Sequence, residues 1–324
     1  MNVFRGSTQF SAGPPCALTI GNFDGVHRGH HALLSELVQG AKARQLTSCV
    51  MTFEPHPKEL FAPAKAPPRI LNLRDKLEAF AAIGIERVVV EHFNSAFAAL
   101  TPDQFVKHIL SERLRTRWIL IGDDFCYGAK RAGNFASLKI AGERDGFEVS
   151  AMPTIADQQI RISSSALRAA IAQGDLQQAN NLLGRPYCIS GHVLYGRQLG
   201  RTLGFPTLNI AVANHLHRRQ NAASGIFVVQ VHGLGPLPLP GVASLGIRPT
   251  VEDAGRVLLE THVFDFKENV YGRIVKVELL EKIRDEAKYP DLTALQLAIE
   301  ADAAHARQYF LKKVYVWKIY CLPC

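Results

Sequence analysis

The sequence has no apolar run that approaches the roughly 20 residues that a membrane-spanning helix needs. Its first residues, from Met1 to Phe10, lack the basic start and the long apolar segment of a secretory signal. Internal repeats and low-complexity segments are also absent from the sequence. These absences argue against a membrane or repeat protein, and we expect a cytoplasmic protein with no membrane partner.

Cysteine is scattered through the chain, with six residues in 324. A disulfide framework belongs to small secreted domains that are much denser in cysteine, so we expect none here. Cys321 and Cys324 form a C-x-x-C pair, but no second Cys or His pair stands nearby to complete a zinc site. The sequence therefore gives little support for a structural metal or redox role at that end.

Charge of one sign is not concentrated anywhere in the sequence. The formal net charge is +8, which suits a polyanionic ligand such as a nucleotide or a nucleic acid. The basic residues are spread along the chain, and no stripe of basic and aromatic residues is present. We expect a nucleotide ligand and no nucleic acid, with a basic nucleic-acid-binding protein as the alternative.

The chain is long enough for two domains, and its hydrophobic pattern changes near residue 184. Before that point, short apolar runs alternate with helical patterns, which predicts an α/β domain with a doubly wound parallel sheet over residues 1–184. The predicted strands are Ala17–Ile20, Thr47–Phe53, Arg87–Glu91 and Trp118–Ile121. Thr101, Pro102 and Gln104 form a capping box that opens a helix to about Leu114.

After Gly184 the pattern consists of short strands separated by glycine and proline turns. This pattern predicts a small antiparallel β-barrel within residues 185–324, followed by a helix of about 19 residues that begins after Asp291. The predicted strands are Cys188–Leu194, Gly225–His232, Val242–Leu245, Val257–Phe264 and Arg273–Ile283.

The clearest chemical pattern lies where the first strand meets a helix. Two histidines, His27 and His30, flank Gly29 just before leucines at helical spacing. Backbone N–H groups and the positive end of the helix dipole are available to an anion at such a turn, and glycine permits close approach. The alternative is an ordinary turn with two solvated histidines.

Polar residues follow other predicted strands and helices of the first domain. His56 lies between two prolines at the end of the second strand, where open α/β sheets bind ligands. Asp124 lies in a turn after the fourth strand. Ser163, Ser164 and Ser165 begin a helix, and their hydroxyls either cap that helix or bind a triphosphate.

The second domain has a glycine- and arginine-rich stretch from Gly191 to Asn209, which fits a backbone wrapped around phosphates. It is not a Walker A loop, and a tight barrel corner is the alternative explanation. Glu260 is a charged residue within a predicted apolar strand. From the sequence alone, this position is typical of an outward-facing Glu paired with Lys or Arg.

These motifs together resemble one known family. The string Gly21-Asn-Phe-Asp-Gly-Val-His-Arg-Gly-His30 ends in a pattern that resembles the HxGH signature of the nucleotidylyltransferases. The whole ten-residue string resembles one branch of them, the bifunctional bacterial riboflavin kinase/FMN adenylyltransferases, or FAD synthetases. The resemblance extends from about residue 17 to residue 311. It includes Phe53-Glu-Pro-His-Pro57, Gly122-Asp-Asp-Phe-Cys-Tyr-Gly128, Ile162-Ser-Ser-Ser-Ala-Leu-Arg168, Gly200-Arg-Thr-Leu-Gly-Phe-Pro-Thr-Leu-Asn209, Gly246-Ile-Arg-Pro-Thr250 and Leu259-Glu-Thr-His-Val-Phe-Asp-Phe266.

The resemblance implies two ATP-dependent reactions, phosphorylation of riboflavin to FMN and adenylylation of FMN to FAD with release of pyrophosphate. ATP is the implied co-substrate, Mg²⁺ is the implied cofactor, and riboflavin, FMN and FAD are the other implied ligands. We expect a monomer or a weak homo-oligomer. Cys126 stands where the family has Arg and Leu208 where it has Ala, so an enzyme with one active module is an alternative.

The resemblance also assigns roles to individual residues. In the first domain His27 and His30 are the implied catalytic residues. The implied nucleotide-binding residues there are Gly21, Asn22, Phe23, Gly29, Ser163, Ser164, Ser165 and Arg168, and the implied flavin-binding residues are His56, Asp124, Phe125 and Gly128. In the second domain Glu260 is the implied general base. Gly200, Arg201 and Gly204 are implied to bind phosphates, Arg248 to bind the flavin, and Thr207 and Asn209 to bind Mg²⁺.

Overall fold

The computed structural model describes residues 1–9, 13–122, 124–152, 156–157, 160–196, 200, 204–212, 221–247 and 257–320. The chain forms two compact units. The first consists of Met1–Pro67 and Lys76–Ser163, and the second consists of Pro68–Asp75 and Ser164–Cys324. The predicted domain boundary between residues 184 and 185 stays a prediction.

The first unit is built on a six-stranded parallel sheet. The strands before residue 162 are β1 (Asn2–Arg5), β2 (Cys16–Ile20), β3 (Thr47–Glu54), β4 (Arg87–His92), β5 (Thr116–Gly122), β6 (Cys126–Tyr127), β7 (Gly133–Asn134), β8 (Glu148–Met152), β9 (Ala156–Asp157) and β10 (Ile160–Arg161). The sheet has the order β1-β4-β3-β2-β5-β8, and each neighbouring pair is parallel. Two short antiparallel pairs, β6 with β7 and β9 with β10, lie outside it.

Helices connect these strands, as the α/β prediction requires. They are α1 (Arg28–Ala43), α2 (Pro57–Phe61), α3 (Leu73–Ile83), α4 (Ser95–Ala98), α5 (Pro102–Gln104) and α6 (Phe135–Asp145). The predicted capping box is confirmed, since the Thr101 side chain accepts the Gln104 N–H and the Gln104 side chain accepts the Thr101 N–H. The helix then continues as a π-helix over Phe105–Arg113.

The prediction of a parallel sheet is confirmed, with four predicted strands extended by one or two residues at one or both ends. β2 is buried throughout because it lies between β3 and β5 in the middle of the sheet. The two edge strands, β1 and β8, were not predicted. Most of their residues are exposed or half-buried, so neither has the continuous apolar run by which the inner strands are identified.

The second unit contains a closed antiparallel barrel. Its elements are α7 (Ser164–Gln173), α8 (Leu176–Leu183), β11 (Cys188–Leu194), β12 (Leu208–Ala211), β13 (Gly225–His232), β14 (Leu239–Ile247), β15 (Val257–Val263), β16 (Ile274–Arg284) and α9 (Leu292–Tyr320). The barrel order is β11-β12-β15-β14-β13-β16. Ala303 and Ala306 of α9 pack against Val228 and Val242 on its outer face. The barrel and the final helix confirm the predicted architecture.

Two details of this unit differ from the sequence prediction. β12 was not predicted, because it is only four residues long and only two of them are buried. α9 has 29 residues rather than about 19, since it continues through the apolar stretch after Phe310. The four cysteines in the described part of the chain, Cys16, Cys49, Cys126 and Cys188, are free thiols.

The segment Pro68–Asp75 is tied to β11 and its neighbours by hydrogen bonds. The Tyr187 hydroxyl donates to the Ile70 carbonyl at 3.0 Å, and the Asn72 amide donates to the Ser190 carbonyl at 2.8 Å. Asp75 accepts the Ser190 N–H at 3.2 Å and the Ser190 hydroxyl as well. These long-range bonds explain why a segment close to the first unit in sequence belongs to the second.

The contact between α1 and β5 provides a test of the packing in the first unit. A Cβ added at Gly40 would overlap the Trp118 ring, which is 3% exposed and donates its Nε1–H to Ser150 at 2.9 Å. We expect Gly40→Ala to lower the free energy of unfolding by about 1–3 kcal/mol, the usual effect of overpacking a core. Urea unfolding followed by tryptophan fluorescence measures the change.

Gly235→Ala is the matched control, because a Cβ added at Gly235 has no heavy atom within 4 Å. It should leave the free energy of unfolding within about 0.5 kcal/mol of the unmodified chain, as surface substitutions usually do. Equal stability of the Gly40→Ala and Gly235→Ala proteins would contradict the packing described for α1 and β5.

Candidate active sites

Three adjacent strand ends position the first site. β3, β2 and β5 are neighbours in that order, so their carboxyl ends lie at one edge of the sheet, where open α/β sheets bind ligands. Gly21 follows β2 directly and donates its N–H to the Met51 carbonyl of β3 at 3.1 Å. The turn that carries the two histidines therefore begins at that edge.

The turn between β2 and α1 is strained. Phe23 and Val26 have φ values of 48° and 41°, a left-handed conformation that non-glycine residues seldom adopt, and Gly25 has a φ of 93°. Phe23 is buried, and its ring contacts Phe80 at a centroid distance of 5.5 Å and His30 at 5.2 Å. Strain of this kind persists only where the surroundings fix it, and it is found most often at functional sites.

The two histidines of this turn form a stacked pair. His27 is the N-cap of α1, and its Nδ1 accepts the backbone N–H of His30 at 3.2 Å. The ring centroids are 3.7 Å apart with an interplanar angle of 12°. A Cβ added at Gly29 would lie 3.3 Å from the His27 ring and 3.7 Å from the Ile162 carbonyl oxygen. Glycine at position 29 thus permits both the stacking and the approach of the segment before Ser163.

The surroundings of His30 favour the neutral form of its imidazole. Its Nδ1 is buried and has no hydrogen-bond partner among the described residues. Burial lowers the pKa of His30 well below its usual value, and the nearby His27 and Lys76 lower it further. A neutral imidazole with a free ring nitrogen can donate or accept a hydrogen bond at a phosphate oxygen without first losing a proton.

Lys76 is a site residue that the sequence analysis missed. Its side chain is 1% exposed, and its ammonium donates to the Asn22 carbonyl at 2.8 Å. The Asn22 side-chain Oδ1, by contrast, is buried and has no partner among the described residues. A signal was present in the sequence, because Lys76 lies on the same helical face as Leu73 and Phe80. A lysine on a buried face requires a specific partner.

The predicted flavin-binding residues follow β3 and β5. His56 is buried, and its Nδ1 accepts the Lys58 N–H at 3.1 Å, which makes it the N-cap of α2. Asp124 is exposed in the turn after β5. Phe125 is half-buried and lies almost parallel to Tyr127, with the ring centroids 5.8 Å apart. A flavin-binding role for these residues stays a prediction.

Gly128 ends this loop, and its backbone requires glycine. Its φ is 71°, and an added Cβ would lie 2.8 Å from the Pro102 nitrogen. Cys126, which stands in place of the family's Arg, lies on β6, and its thiol contacts the Asp124 carbonyl at 3.7 Å.

The predicted triphosphate-binding serines fall on both units. Ser163 is the last residue of the first unit, while Ser164, Ser165 and Arg168 lie in α7 of the second unit. The Arg168 guanidinium donates its Nε–H to the Pro68 carbonyl at 2.9 Å, so it helps to hold the segment Pro68–Asp75. Their nucleotide-binding role stays a prediction.

The second site lies on one face of the barrel. Asn209 of β12 is paired with Glu260 of β15, and Glu260 is paired with Ser244 of β14. Side chains at directly paired positions lie on the same face, about 5 Å apart. Asn209 is 6% exposed, and its Oδ1 has no hydrogen-bond partner among the described residues. Leu208 is paired with Thr261 and alternates to the opposite face, so its bulk is directed away from this row.

Glycines pack against this row. A Cβ added at Gly196 would overlap the Asn209 amide, and one added at Gly200 would overlap the Phe205 carbonyl and lie 3.4 Å from the Thr207 methyl. Gly204 has a φ of 86°, which favours glycine. Gly196 therefore lies directly beside Asn209, and Gly200 directly beside Thr207. Arg201 and Arg248 lie outside the described residues.

The oxygen atoms at this site fit a magnesium ion. Mg²⁺ prefers hard oxygen ligands, and a hydroxyl from Thr207 with an unpartnered amide oxygen from Asn209 supplies two of them. Within the described ranges no group of three His, Cys, Asp or Glu residues is arranged to hold a metal ion. A Thr–Asn pair is not a group of that kind.

Among the described helices, none is long and apolar enough to cross a membrane.

Comparison with known proteins identifies similar chains over nearly the whole length. Residues 10–166 match the family described as FAD synthetase, and residues 183–310 match the family described as riboflavin kinase. The chain is 45% identical to the bifunctional riboflavin kinase/FMN adenylyltransferase of Escherichia coli (strain K12), over 96% of this chain and 98% of that protein. The protein of the same name from Haemophilus influenzae is 44% identical, over 91% of this chain and 94% of that protein.

A solved structure is also similar. A crystal structure named as a macrolide-efflux protein from Streptococcus pneumoniae superposes with a TM-score of 0.71 at 29% sequence identity. The superposition covers 93% of this chain and 96% of that one.

The contact of Lys76 with the histidine turn gives a prediction about His30. Because the positive charge of Lys76 helps to lower the pKa of His30, we expect Lys76→Met to raise that pKa toward its usual value. A ¹⁵N-resolved NMR titration of the imidazole nitrogens measures the shift. Lys65→Met, which removes an exposed lysine, is the matched control and should leave the titration of His30 unchanged. The same titration midpoint in the Lys76→Met and unmodified proteins would contradict this electrostatic coupling.

Proposed function

Because this chain belongs to the bifunctional riboflavin kinase/FMN adenylyltransferase family, we propose that it phosphorylates riboflavin to FMN and then adenylylates FMN to FAD, using ATP in both reactions. The observation that carries the proposal is that the residues to which we assign catalysis in the two reactions lie in different units. His27 and His30 stack at the edge of the parallel sheet, and Asn209 and Glu260 are paired on the barrel.

The barrel carries the kinase reaction in this proposal. Glu260 accepts the proton of the riboflavin 5′-hydroxyl as the oxygen forms a bond to the γ-phosphorus of ATP, and the bond from that phosphorus to the β-phosphate oxygen breaks to release ADP. The glycine-rich stretch around Gly200 and Gly204 binds the phosphates. Thr207 and Asn209 would hold Mg²⁺, which supplies positive charge to the transferred phosphoryl group.

The parallel-sheet unit carries the adenylyl transfer. An FMN phosphate oxygen forms a bond to the α-phosphorus of ATP, and the bond from that phosphorus to the β-phosphate oxygen breaks, which releases pyrophosphate. FMN phosphate is already negative at pH 7, so the step needs hydrogen-bond donors for the developing charge more than a base. His27 and His30 supply such donors, and the strained turn from Gly21 through Asn22 and Phe23 fixes their position.

Several finer statements belong to the same proposal. We place the domain boundary between residues 184 and 185, close to where the riboflavin kinase match begins. A cytoplasmic location is supported by the free thiols of the described cysteines and by the use of ATP in both reactions. The absence of a clustered basic stretch from the sequence supports a protein that binds no nucleic acid. A monomer or a weak homo-oligomer remains the expected assembly.

A product assay tests the proposal. Purified protein is incubated with riboflavin, ATP and Mg²⁺, and the flavins are separated by chromatography. Formation of both FMN and FAD is the expected result. FMN without FAD would indicate that only the kinase is active, which is the alternative raised by Cys126. Absence of any flavin product would contradict the proposed function.

Substitutions separate the two reactions. We expect His30→Ala to slow FAD formation from FMN by about 10²- to 10³-fold, the usual loss when one transition-state donor is removed, while riboflavin phosphorylation continues. Glu260→Gln should slow phosphorylation by about 10²- to 10⁴-fold, because the general base is lost, and should leave FMN adenylylation intact. Steady-state rates of each half-reaction with purified variants provide the measurement.

Circular dichroism is the control for folding in both variants. If either substitution stopped both reactions in a folded protein, the assignment of one reaction to each unit would be wrong.

A further inference from the structure

The barrel face that carries Glu260 also carries a second carboxylate, Glu286, to which no motif assigned a role. Glu286 lies two residues beyond the end of β16. Its carboxylate lies directly over Gly246 of β14, where an added Cβ would overlap its oxygen atoms. The hydroxyl of Ser244, on the same strand, lies near the same carboxylate and favours its ionised form. Glycine at position 246 thus makes room for Glu286 on this face.

The contact with Gly246 places Glu286 at the end of a row of polar groups that strand register defines. Asn209, Glu260 and Ser244 are paired across β12, β15 and β14, and Gly246 lies two residues from Ser244 and therefore on the same face. Neighbouring strands are about 4.8 Å apart, so the row from β12 to β14 is about 10 Å long. The unpartnered and buried Oδ1 of Asn209 lies at the other end of the row. A row that ends in an unsatisfied buried polar atom is open to a polar ligand.

The charges around Glu286 also favour a ligand that donates hydrogen bonds. Burial raises the pKa of the Glu286 carboxyl, the Ser244 hydroxyl opposes this rise, and the charge of Glu260 adds to it. Two cations that precede Glu286 in the sequence pair with other acids, since Lys282 contacts Asp285 at 2.6 Å and Arg284 contacts Asp302 at 2.9 Å. No ion pair links Glu286 to a cation within the described ranges. Hydroxyl groups are the donors that two neighbouring carboxylates can share without a counter-ion.

We propose that Glu286, together with Ser244, binds the secondary hydroxyls of the riboflavin ribityl chain and thereby places the 5′-hydroxyl at Glu260. The inference rests on the proposed kinase function of the barrel. A carboxylate accepts hydrogen bonds from more than one hydroxyl of a polyol, and charge-assisted hydrogen bonds of this kind are the strong ones. A site built to bind substrate hydroxyls discriminates strongly against an analogue that lacks them. Glu286 is therefore assigned a role in positioning and specificity, while Glu260 remains the base.

The experiment compares two substrates with the full-length chain. One is riboflavin, and the other is the same isoalloxazine carrying a 5-hydroxypentyl chain, which keeps the terminal hydroxyl and lacks the secondary ones. The specificity constant kcat/KM for phosphorylation is measured for the unmodified protein and for Glu286→Gln and Glu286→Ala. We expect both substitutions to lower kcat/KM for riboflavin by about 10- to 100-fold, since a charge-assisted hydrogen bond is lost. The value for the hydroxypentyl analogue should remain nearly unchanged, so the preference for riboflavin should collapse.

Two further variants make the result interpretable. Ser244→Ala removes the hydroxyl that contacts Glu286 and should reduce the preference for riboflavin in the same direction but less strongly. Glu300→Gln is the matched control, because Glu300 is an exposed carboxylate on α9 that accepts a hydrogen bond from the Gln296 amide at 3.0 Å. It should leave both specificity constants unchanged. FMN adenylylation by each Glu286 variant reports on the integrity of the remainder of the chain.

The outcomes distinguish the inference from the function on which it rests. An equal loss for riboflavin and the analogue would overturn the ribityl-binding role, as would unchanged constants for both substrates. If Glu286 variants fail to fold, an unaltered substrate preference in Ser244→Ala overturns the inference, and a reduced preference supports it. Failure of the unmodified protein to phosphorylate riboflavin would instead overturn the proposed function.

Discussion

A buried polar atom without a hydrogen-bond partner costs about 1–3 kcal/mol, and this constraint connects the fold to both proposed active sites. Among the described residues, Asn22 Oδ1, His30 Nδ1 and Asn209 Oδ1 are buried in this way. Thr19, Ser111, Thr116 and Thr261 also have such atoms, and the family resemblance assigns a ligand to none of these four residues. Asn22, His30 and Asn209 lie in motifs that the family resemblance assigns to nucleotide and metal binding. A bound ligand would supply the missing hydrogen bond to each of these three atoms, as the proposed roles of their motifs require.

The two units position the residues assigned to phosphate chemistry in different ways. In the first unit the carboxyl ends of parallel strands and a strained turn position the stacked pair of His27 and His30, to which we assign phosphate binding, and Lys76 fixes the Asn22 carbonyl of that turn. In the barrel the pairing of antiparallel strands places Asn209, Glu260 and Ser244 in one row, and glycines allow a loop to pack beside it. Both arrangements depend on main-chain geometry. Gly29, Gly196 and Gly246 each leave space for a neighbouring side chain of the proposed sites.

Much of this could be predicted from the sequence because the signals were local. The buried strands, the capping box at Thr101 and the motifs around His30 and Glu260 are contiguous stretches, and each element formed where its pattern indicated. The roles of three residues were not predicted, because they depend on contacts between residues that are distant in the sequence. Lys76 hydrogen-bonds to Asn22, which is 54 residues away, and Asp75 hydrogen-bonds to Ser190, which is 115 residues away. Glu286 comes near Glu260 only in the folded barrel. The half-exposed edge strands escaped because an edge lacks the apolar run that burial on both faces imposes.

We propose two separate active sites in one chain, and if FMN leaves the first site, it can be adenylylated by a second chain. Mixing the Glu260→Gln and His30→Ala proteins tests it most directly, since each lacks one half-reaction and the other keeps it. With riboflavin, ATP and Mg²⁺, each variant alone should form little or no FAD, whereas the mixture should form FAD after a lag in which FMN accumulates. If the mixture formed no more FAD than the variants alone, although each retained its own half-reaction, the account of two independent sites would be contradicted.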